Sequence, residues 1–291
     1  MASLSSFSQT APIKLLLIGD SGSGKTGSLA SLAAAGYNLR IIDIDKGVNI
    51  LANYLTDPQS RYFKSNPDAI SHVNFVQCSD TMTSLNGTLV PKRAEGWQKA
   101  CKLLMHWKDG DEDLGKITDW GQQDILVIDS LSGLASLALH YHLFLNGALG
   151  KSRTSNEGRR DMGAAQNYIK DLLELLYDDN LRCNIIVISH ITQVSEAGGA
   201  PKIEEGKFDQ IPTGYPSAIG RALSPQIPRF FNNMLIVRSI AQGSKQVRKI
   251  FTETQNLGGQ IISGKSSAPL KVKAEYPIET GLADFFTDMR R

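Results

Sequence analysis

The stretch Ile13-Lys14-Leu15-Leu16-Leu17-Ile18-Gly19-Asp20-Ser21-Gly22-Ser23-Gly24-Lys25-Thr26 decides the fold of this 291-residue chain. The apolar run Ile13–Ile18 is strand-length and ends at a glycine, so it reads as a buried strand. It runs into a complete G-x-x-x-x-G-K-[ST] pattern, and a small-residue helix follows from Lys25 to about Ala35. Glycines in such a loop let successive N–H groups turn inward toward phosphate oxygens, and the helix start adds partial positive charge. Gly19, Asp20, Ser21, Gly22, Ser23, Gly24, Lys25 and Thr26 therefore form a candidate phosphate cradle. Lys25 is placed to reach the β- and γ-phosphates, and the Thr26 hydroxyl to ligate Mg²⁺.

Outward from that loop, short apolar runs alternate with helical patterns. Leu39–Ile44, Val73–Gln77, Ile125–Ile128 and Asn184–Ser189 read as further strands. Helices are expected over Ala94–Trp107, with Trp97, Cys101, Leu104 and Met105 on one side, and over about 131–146 and 162–177. Strands apolar on both faces, separated by helices, predict an α/β fold with a mostly parallel central sheet flanked by helices. After residue 190 a Gly/Pro/Lys-rich loop, 198–216, leads to a Pro-interrupted helix. The runs Met234–Ile240, Val247–Thr252 and Leu270–Lys273 then predict a C-terminal antiparallel extension. The organisation read is one domain over 13–291 behind a disordered lead, 1–12.

A second acidic half-site is expected at the end of another buried strand. Asp124-Ile125-Leu126-Val127-Ile128-Asp129 supplies it: Asp129 is the candidate Mg²⁺ carboxylate, or alternatively the N-cap of the helix from Leu131. No Asn/Thr-Lys-x-Asp base-reading motif of GTP-binding switches is present. Leu257-Gly258-Gly259-Gln260 lies too far downstream for a transporter signature and reads as a turn. ATP with Mg²⁺ is the expected cofactor pair.

Composition sets the remaining bounds. With 41% hydrophobic and 21% charged residues, the chain can build a sizeable core and is not a disordered or disulfide-scaffold sequence. Cys78, Cys101 and Cys183 show no metal-ligand spacing and read as reduced thiols. The N-terminus shows no basic n-region and no apolar h-region, so no export signal is expected, and the apolar window 131–150 contains His140, His142 and Asn146, so a buried helix is expected there and not a membrane span. The expected location is cytoplasmic, with no membrane partner. Net charge is +2, but residues 1–150 carry −2 and 151–291 carry +4. The segment 211–273 has nine basic residues against Glu253 alone, a local +8 suited to polyanions or to a neighbour's phosphates.

The order of these motifs resembles the RecA-like recombinase and ring-helicase superfamily. In particular it looks like the small phage-encoded RecA-like ATP-binding proteins of single-strand annealing and recombination, over roughly residues 13–285. The resemblance implies a RecA-like P-loop NTPase fold and assigns further roles. The family's Asp-x-Glu pattern falls on Asp43-Ile44-Asp45, which puts Asp45 at the position of the catalytic base, one methylene shorter than Glu. His190, ending Ile188-Ser189-His190, takes the γ-phosphate sensor position. Lys271-Val272-Lys273 resembles a Lys-x-Lys segment inserted into a neighbour's ATP site, where cations stabilise the transferring phosphoryl group. Two loops face nucleic acid: Gly147 to Arg160, with Lys151, Arg153, Arg159 and Arg160, and Ile191 to about Pro216, with Lys202, Lys207, Phe208 and Tyr215.

The implied activity is ATP hydrolysis coupled to single-stranded DNA binding, assisting annealing or recombination as a homo-oligomer. Recombination or replication proteins are the implied partners, in the host cytoplasm if the gene is phage-borne. Two other classes remain in view: a small-molecule kinase with 151–160 as its lid, and an ATP-dependent protein-binding adaptor or motor component.

Overall fold

A computed structural model describes residues 11–85, 87–194, 213–243, 245–257 and 260–291. The chain order begins β1 (Lys14–Gly19), α1 (Lys25–Ser28), α2 (Ala30–Ala34), β2 (Asn38–Asp43), α3 (Val48–Thr56), α4 (Arg61–Ser65) and β3 (Val73–Gln77). Two hairpins follow, β4 (Thr81–Leu85) with β5 (Thr88–Arg93), and β6 (Trp107–Asp109) with β7 (Glu112–Gly115), flanking α5 (Glu95–Met105). Then come β8 (Asp124–Asp129), α6 (Leu131–Leu145), α7 (Ser155–Tyr177), β9 (Asn184–Ser189), β10 (Ile191–Val194) and β11 (Thr213–Pro216). The last elements are β12 (Asn233–Gln242), β13 (Lys245–Phe251), β14 (Gln255–Leu257), β15 (Gln260–Ile262), β16 (Glu275–Pro277) and α8 (Gly281–Arg290).

The main sheet has the order β16-β13-β12-β1-β9-β8-β2-β3. The six strands from β12 to β3 are parallel, and β13 and β16 add antiparallel strands at one edge. This is the expected mostly parallel sheet with a C-terminal antiparallel extension. Every residue of β1 and β9 is buried, because helices cover both sheet faces. The period of two sorts the side chains. Leu16, Ile18, Leu126, Ile128, Ile185 and Val187 face the layer containing α5, α6 and α7. Leu15, Leu17, Ile125, Val127, Ile186 and Ile188 face the layer containing α2, α3 and α8. A separate sheet, β10-β11-β15-β14, stands directly after the end of β9.

Several expectations change in the structure. Helix α7 starts at Ser155 and not at 162, because Thr154 and Glu157 form a reciprocal capping box. Arg159 and Arg160 therefore sit on a helix and not in a loop. The Leu270–Lys273 run is a turn with Leu270 fully exposed; the edge strand is β16, whose Tyr276 is the buried residue. Met105, expected on the apolar side of α5, is 66% exposed, while Trp97 and Leu104 are buried. The β4–β5 and β6–β7 hairpins carry mostly exposed residues and leave no two-period apolar signal. The three cysteines are free. Burial pushes the Cys78 thiol up to about 12 and those of Cys101 and Cys183 up to about 11, so none is an activated nucleophile.

Helix α8 closes the second layer through Phe285 and Phe286, both fully buried, with Phe285 edge-on to Tyr276. The Tyr276 hydroxyl donates to Asp288 Oδ2 at 2.9 Å, so the edge strand and the terminal helix are fastened together. Phe285→Ala is expected to cost about 3–5 kcal/mol of folding free energy. The check is a urea titration, in which the midpoint falls while the slope stays constant.

Candidate functional site

In a parallel sheet the crevice lies beyond the carboxyl ends of the strands. Here β1, β2, β8 and β9 all end on the same side, and β9 lies between β1 and β8. Their ends bring together the loop Gly19–Thr26, Asp43 to Asp45, Asp129 and His190. Lys25, Thr26, Asp45, Asp129 and His190 line one cleft of about 980 Å³, so five residues singled out from sequence meet in one place.

The loop owes its shape to its glycines. Gly22 and Gly24 adopt φ of 74° and 104°, a region that side chains disfavour. A Cβ at Gly19 would stand 2.4 Å from the carbonyl oxygen of Val237, so the loop must begin on a residue without one. The Lys25 ammonium donates to the carbonyls of Gly19 and Asp20 at 2.8 Å each, folded back across the loop. Burial lowers its pKa, while the nearby carboxylates of Asp129, Asp20 and Asp45 oppose that shift. Ser23 Oγ is buried without a partner and Ser23 lies inside the loop.

Thr26 Oγ1 donates to Asp129 Oδ2 at 2.6 Å. Asp129 is not the helix N-cap: Ser130 holds that position, accepting from the Gly133 amide. Burial pushes the Asp129 carboxyl up to about 6, with Asp45 and Asp43 acting in the same direction and the Thr26 hydrogen bond against it. The donor set fits a hard divalent cation. A Cβ at Gly47 would come within 3.3 Å of Thr26 Oγ1 and 3.6 Å of Asp129 Oδ2, so a bare backbone keeps that space clear. Asp43 accepts from the Gly47 amide through Oδ1, and its buried Oδ2 is left without a partner. Thr26 and Asp129 could hold Mg²⁺ directly, with Asp43 reached through water. Among the described residues no separate cluster of three metal-ligating side chains occurs.

Asp45 Oδ2 lies 3.4 Å from His190 Nε2, so the candidate base and the candidate sensor touch. Asp45 is held from behind by α6, where a Cβ at Gly133 would come within 2.6 Å of both Asp45 Oδ1 and Ile44 Cγ2. The backbone of His190 is tied into a serine network. Its amide donates to Ser132 Oγ at 3.2 Å, and its carbonyl accepts from the Ser217 amide at 2.7 Å. Ser217 follows β11, so the end of β9 is bonded to the small sheet beyond it.

The rest of the cleft wall escaped sequence reading. One part comes from 50–62, with Tyr54 packed against Gly27 and its ring tilted 53° to that of Tyr62, centroids 5.7 Å apart. Another comes from Ser239, Gln246, Val247, Arg248, Ile278 and Glu279. These residues share no motif and are joined only by strand pairing. Lys271 and Lys273 do not line this chain's cleft. Lys273 lies over the Tyr276 ring, 5.5 Å from its centroid.

The two basic loops fare unequally. Arg153 is spent on a two-point ion pair with Asp161, at 2.8 and 3.1 Å, which His142 joins, so it holds α7 in place and is not a free cation. Lys151, Arg159 and Arg160 make no ion pair among the described residues. Tyr215 lies on β11; Lys202, Lys207 and Phe208 fall outside the described residues. The basic run 211–273 is not one uniform face. Lys249 pairs with Glu275, Lys265 donates to the Phe231 carbonyl at 2.8 Å, and Arg229 lies over Phe230.

Because burial raises the folded-state pKa of Asp129 from 3.8 to about 6, the native state binds more protons than the unfolded chain between those values. Its contribution to stability therefore falls as pH rises through that window, by about 2–3 kcal/mol in total. Asp129→Asn is expected to flatten that slope and to raise the melting temperature of the nucleotide-free protein at pH 7. The same change should weaken Mg²⁺-dependent nucleotide binding at least tenfold. Melting curves at pH 5 and 7, with and without Mg²⁺ and nucleotide, check both parts.

No curated protein matches the sequence. Among solved structures, the RadB recombinase matches with a TM-score of 0.43 at 15% identity, covering 88% of this chain and 93% of that one. A KaiC-like protein from the hyperthermophilic archaeon Pyrococcus horikoshii OT3 matches with a TM-score of 0.38 at 13% identity, covering 82% and 77%. A family model described as an AAA domain matches residues 11–257, and the chain belongs to that family.

Proposed function

We propose that this AAA-domain protein binds ATP with Mg²⁺ and hydrolyses it, and that hydrolysis serves the binding of single-stranded DNA by an assembly of identical chains. The observation that carries the ATPase reading is the meeting, in one cleft, of the loop Gly19–Thr26, the Thr26–Asp129 pair and the Asp45–His190 contact.

In this reading Lys25 exchanges the carbonyls of Gly19 and Asp20 for phosphate oxygens, and the loop amides and Ser23 Oγ complete the cradle. Bound Mg²⁺ would neutralise charge on the phosphates. Asp45 orients a water for in-line attack on the γ-phosphorus and accepts its proton, while ADP leaves with the electrons of the broken P–O bond. His190 sits where it feels both Asp45 and the terminal phosphate. Its backbone bonds to Ser132 and Ser217 connect that event to β10 and β11.

The DNA part of the reading is supported by Lys151, Arg159 and Arg160, which lack ion-pair partners among the described residues. Lys271 and Lys273 stand on a turn beside the fully exposed Leu270, where a neighbouring chain could receive them. Their role in that neighbour's ATP site, and the assisting of annealing or recombination in the cytoplasm, belong to the same proposal. No described helix is long and apolar enough to cross a membrane.

Lys25→Ala is expected to abolish ATP binding and turnover. Asp45→Asn should leave nucleotide affinity within a few-fold of wild type and lower kcat by about 10²–10⁴-fold. Steady-state phosphate release and equilibrium nucleotide binding separate the two; full turnover in Lys25→Ala refutes the site. Binding of a single-stranded oligonucleotide should weaken steeply as salt rises, because phosphate contacts release counterions. A flat salt response, or turnover indifferent to DNA, favours the protein-binding adaptor or the kinase.

A further inference from the structure

A triphosphate brings several negative charges to a loop that contains one ammonium, so a second cation at the loop mouth has a physical task. Among the described residues lining the cleft, the lysines and arginines are Lys25, Arg61 and Arg248. Arg248 lies against the loop. A Cβ placed on Gly24 would lie 3.3 Å from Arg248 Cδ and 3.4 Å from Ile278 Cγ1, so the Arg248 stem and Ile278 together roof the residue before Lys25.

The position of Arg248 is fixed by the sheet. In β13 it lies directly opposite Ser239 of β12, and its carbonyl accepts from the Ile278 amide at 3.3 Å. Gln246, two residues back on the same face, accepts from Ser239 Oγ at 3.2 Å. Beyond this anchored stem the guanidinium has no hydrogen-bond or ion-pair partner among the described residues. Its strand neighbour Lys249 is committed to an ion pair with Glu275. Arg248 is thus a pre-positioned, uncommitted cation above the phosphate loop of its own chain, and a planar guanidinium suits two phosphate oxygens at once.

We propose that Arg248 is a phosphate clamp acting in cis, donating to polyphosphate oxygens of the nucleotide held by Gly19–Thr26 of the same chain. The clamp rests on the reading of that loop as a nucleoside triphosphate site. It assigns β13, and not only a neighbour's lysines, to charge neutralisation, so each chain binds its nucleotide tightly before any assembly.

The test measures the affinity of dilute protein for ATP and ADP, and ATP turnover, in wild type, Arg248→Ala, Arg248→Lys and Lys25→Ala, with circular dichroism to establish folding. Arg248→Ala is expected to weaken both nucleotides about tenfold or more at every protein concentration, and Arg248→Lys to recover part of the loss. Mixing Arg248→Ala with Lys25→Ala chains should restore no activity, since neither holds a complete site. Wild-type affinity in folded Arg248→Ala overturns the clamp, and recovery of turnover in the mixture overturns its action in cis. If wild type itself binds no ATP, the reading of the loop fails first, and the clamp with it.

Discussion

The 2.6 Å hydrogen bond from Thr26 to Asp129 joins the helix that follows β1 to the end of β8, a strand that is not β1's neighbour in the sheet. It exists because β9 separates β1 from β8 by one strand width on each side, and because all three are parallel and end at the same level. Asp129 is nearly inaccessible to water, and a buried carboxylate without compensation is costly. The Thr26 hydroxyl compensates part of that cost. The remainder shows as a raised pKa, chiefly from burial. Asp43 and Asp45 act in the same direction.

Around that pair, the site is assembled from backbone shortages. Gly19, Gly24, Gly47 and Gly133 each stand where a Cβ would crowd a neighbour at the cleft: the Val237 carbonyl, the Arg248 stem, the Thr26–Asp129 pair or Asp45. Side chains supply charge, and the missing ones supply room. The same economy connects the site to what lies beyond β9. His190 touches Asp45 with its ring, and its backbone amide and carbonyl bond to Ser132 and Ser217 beside the small sheet.

The C-terminal strands illustrate how a charge pattern can mislead. Nine basic residues within 211–273 read as one polyanion surface, yet strand pairing disperses them. Lys249 meets Glu275 across β13 and β16, Lys265 closes on a backbone carbonyl, and Arg248 turns toward the phosphate loop. Likewise Arg153 reads as a free loop cation until Asp161, eight residues on, takes two donors along one edge of its guanidinium.

By itself the sequence determined the layered α/β plan, the phosphate loop and the strand-end positions of Asp45, Asp129 and His190. These follow from local rules: apolar runs of strand length, glycines where the backbone must turn inward, and a polar residue where a buried strand emerges. The late start expected for α7 was also a local error, since the Thr154–Glu157 capping box could have been read from spacing alone. The tertiary structure decided which ends meet, and so that Asp45 touches His190 and that Asp43 keeps an unpartnered oxygen beside the Thr26–Asp129 pair. It also decided that Arg248, 224 positions from Gly24 in the chain, roofs the loop while Lys271 and Lys273 do not reach it. Contacts of that range depend on strand order and register, which pair residues by position across a sheet and leave no trace in the spacing of residues along a chain.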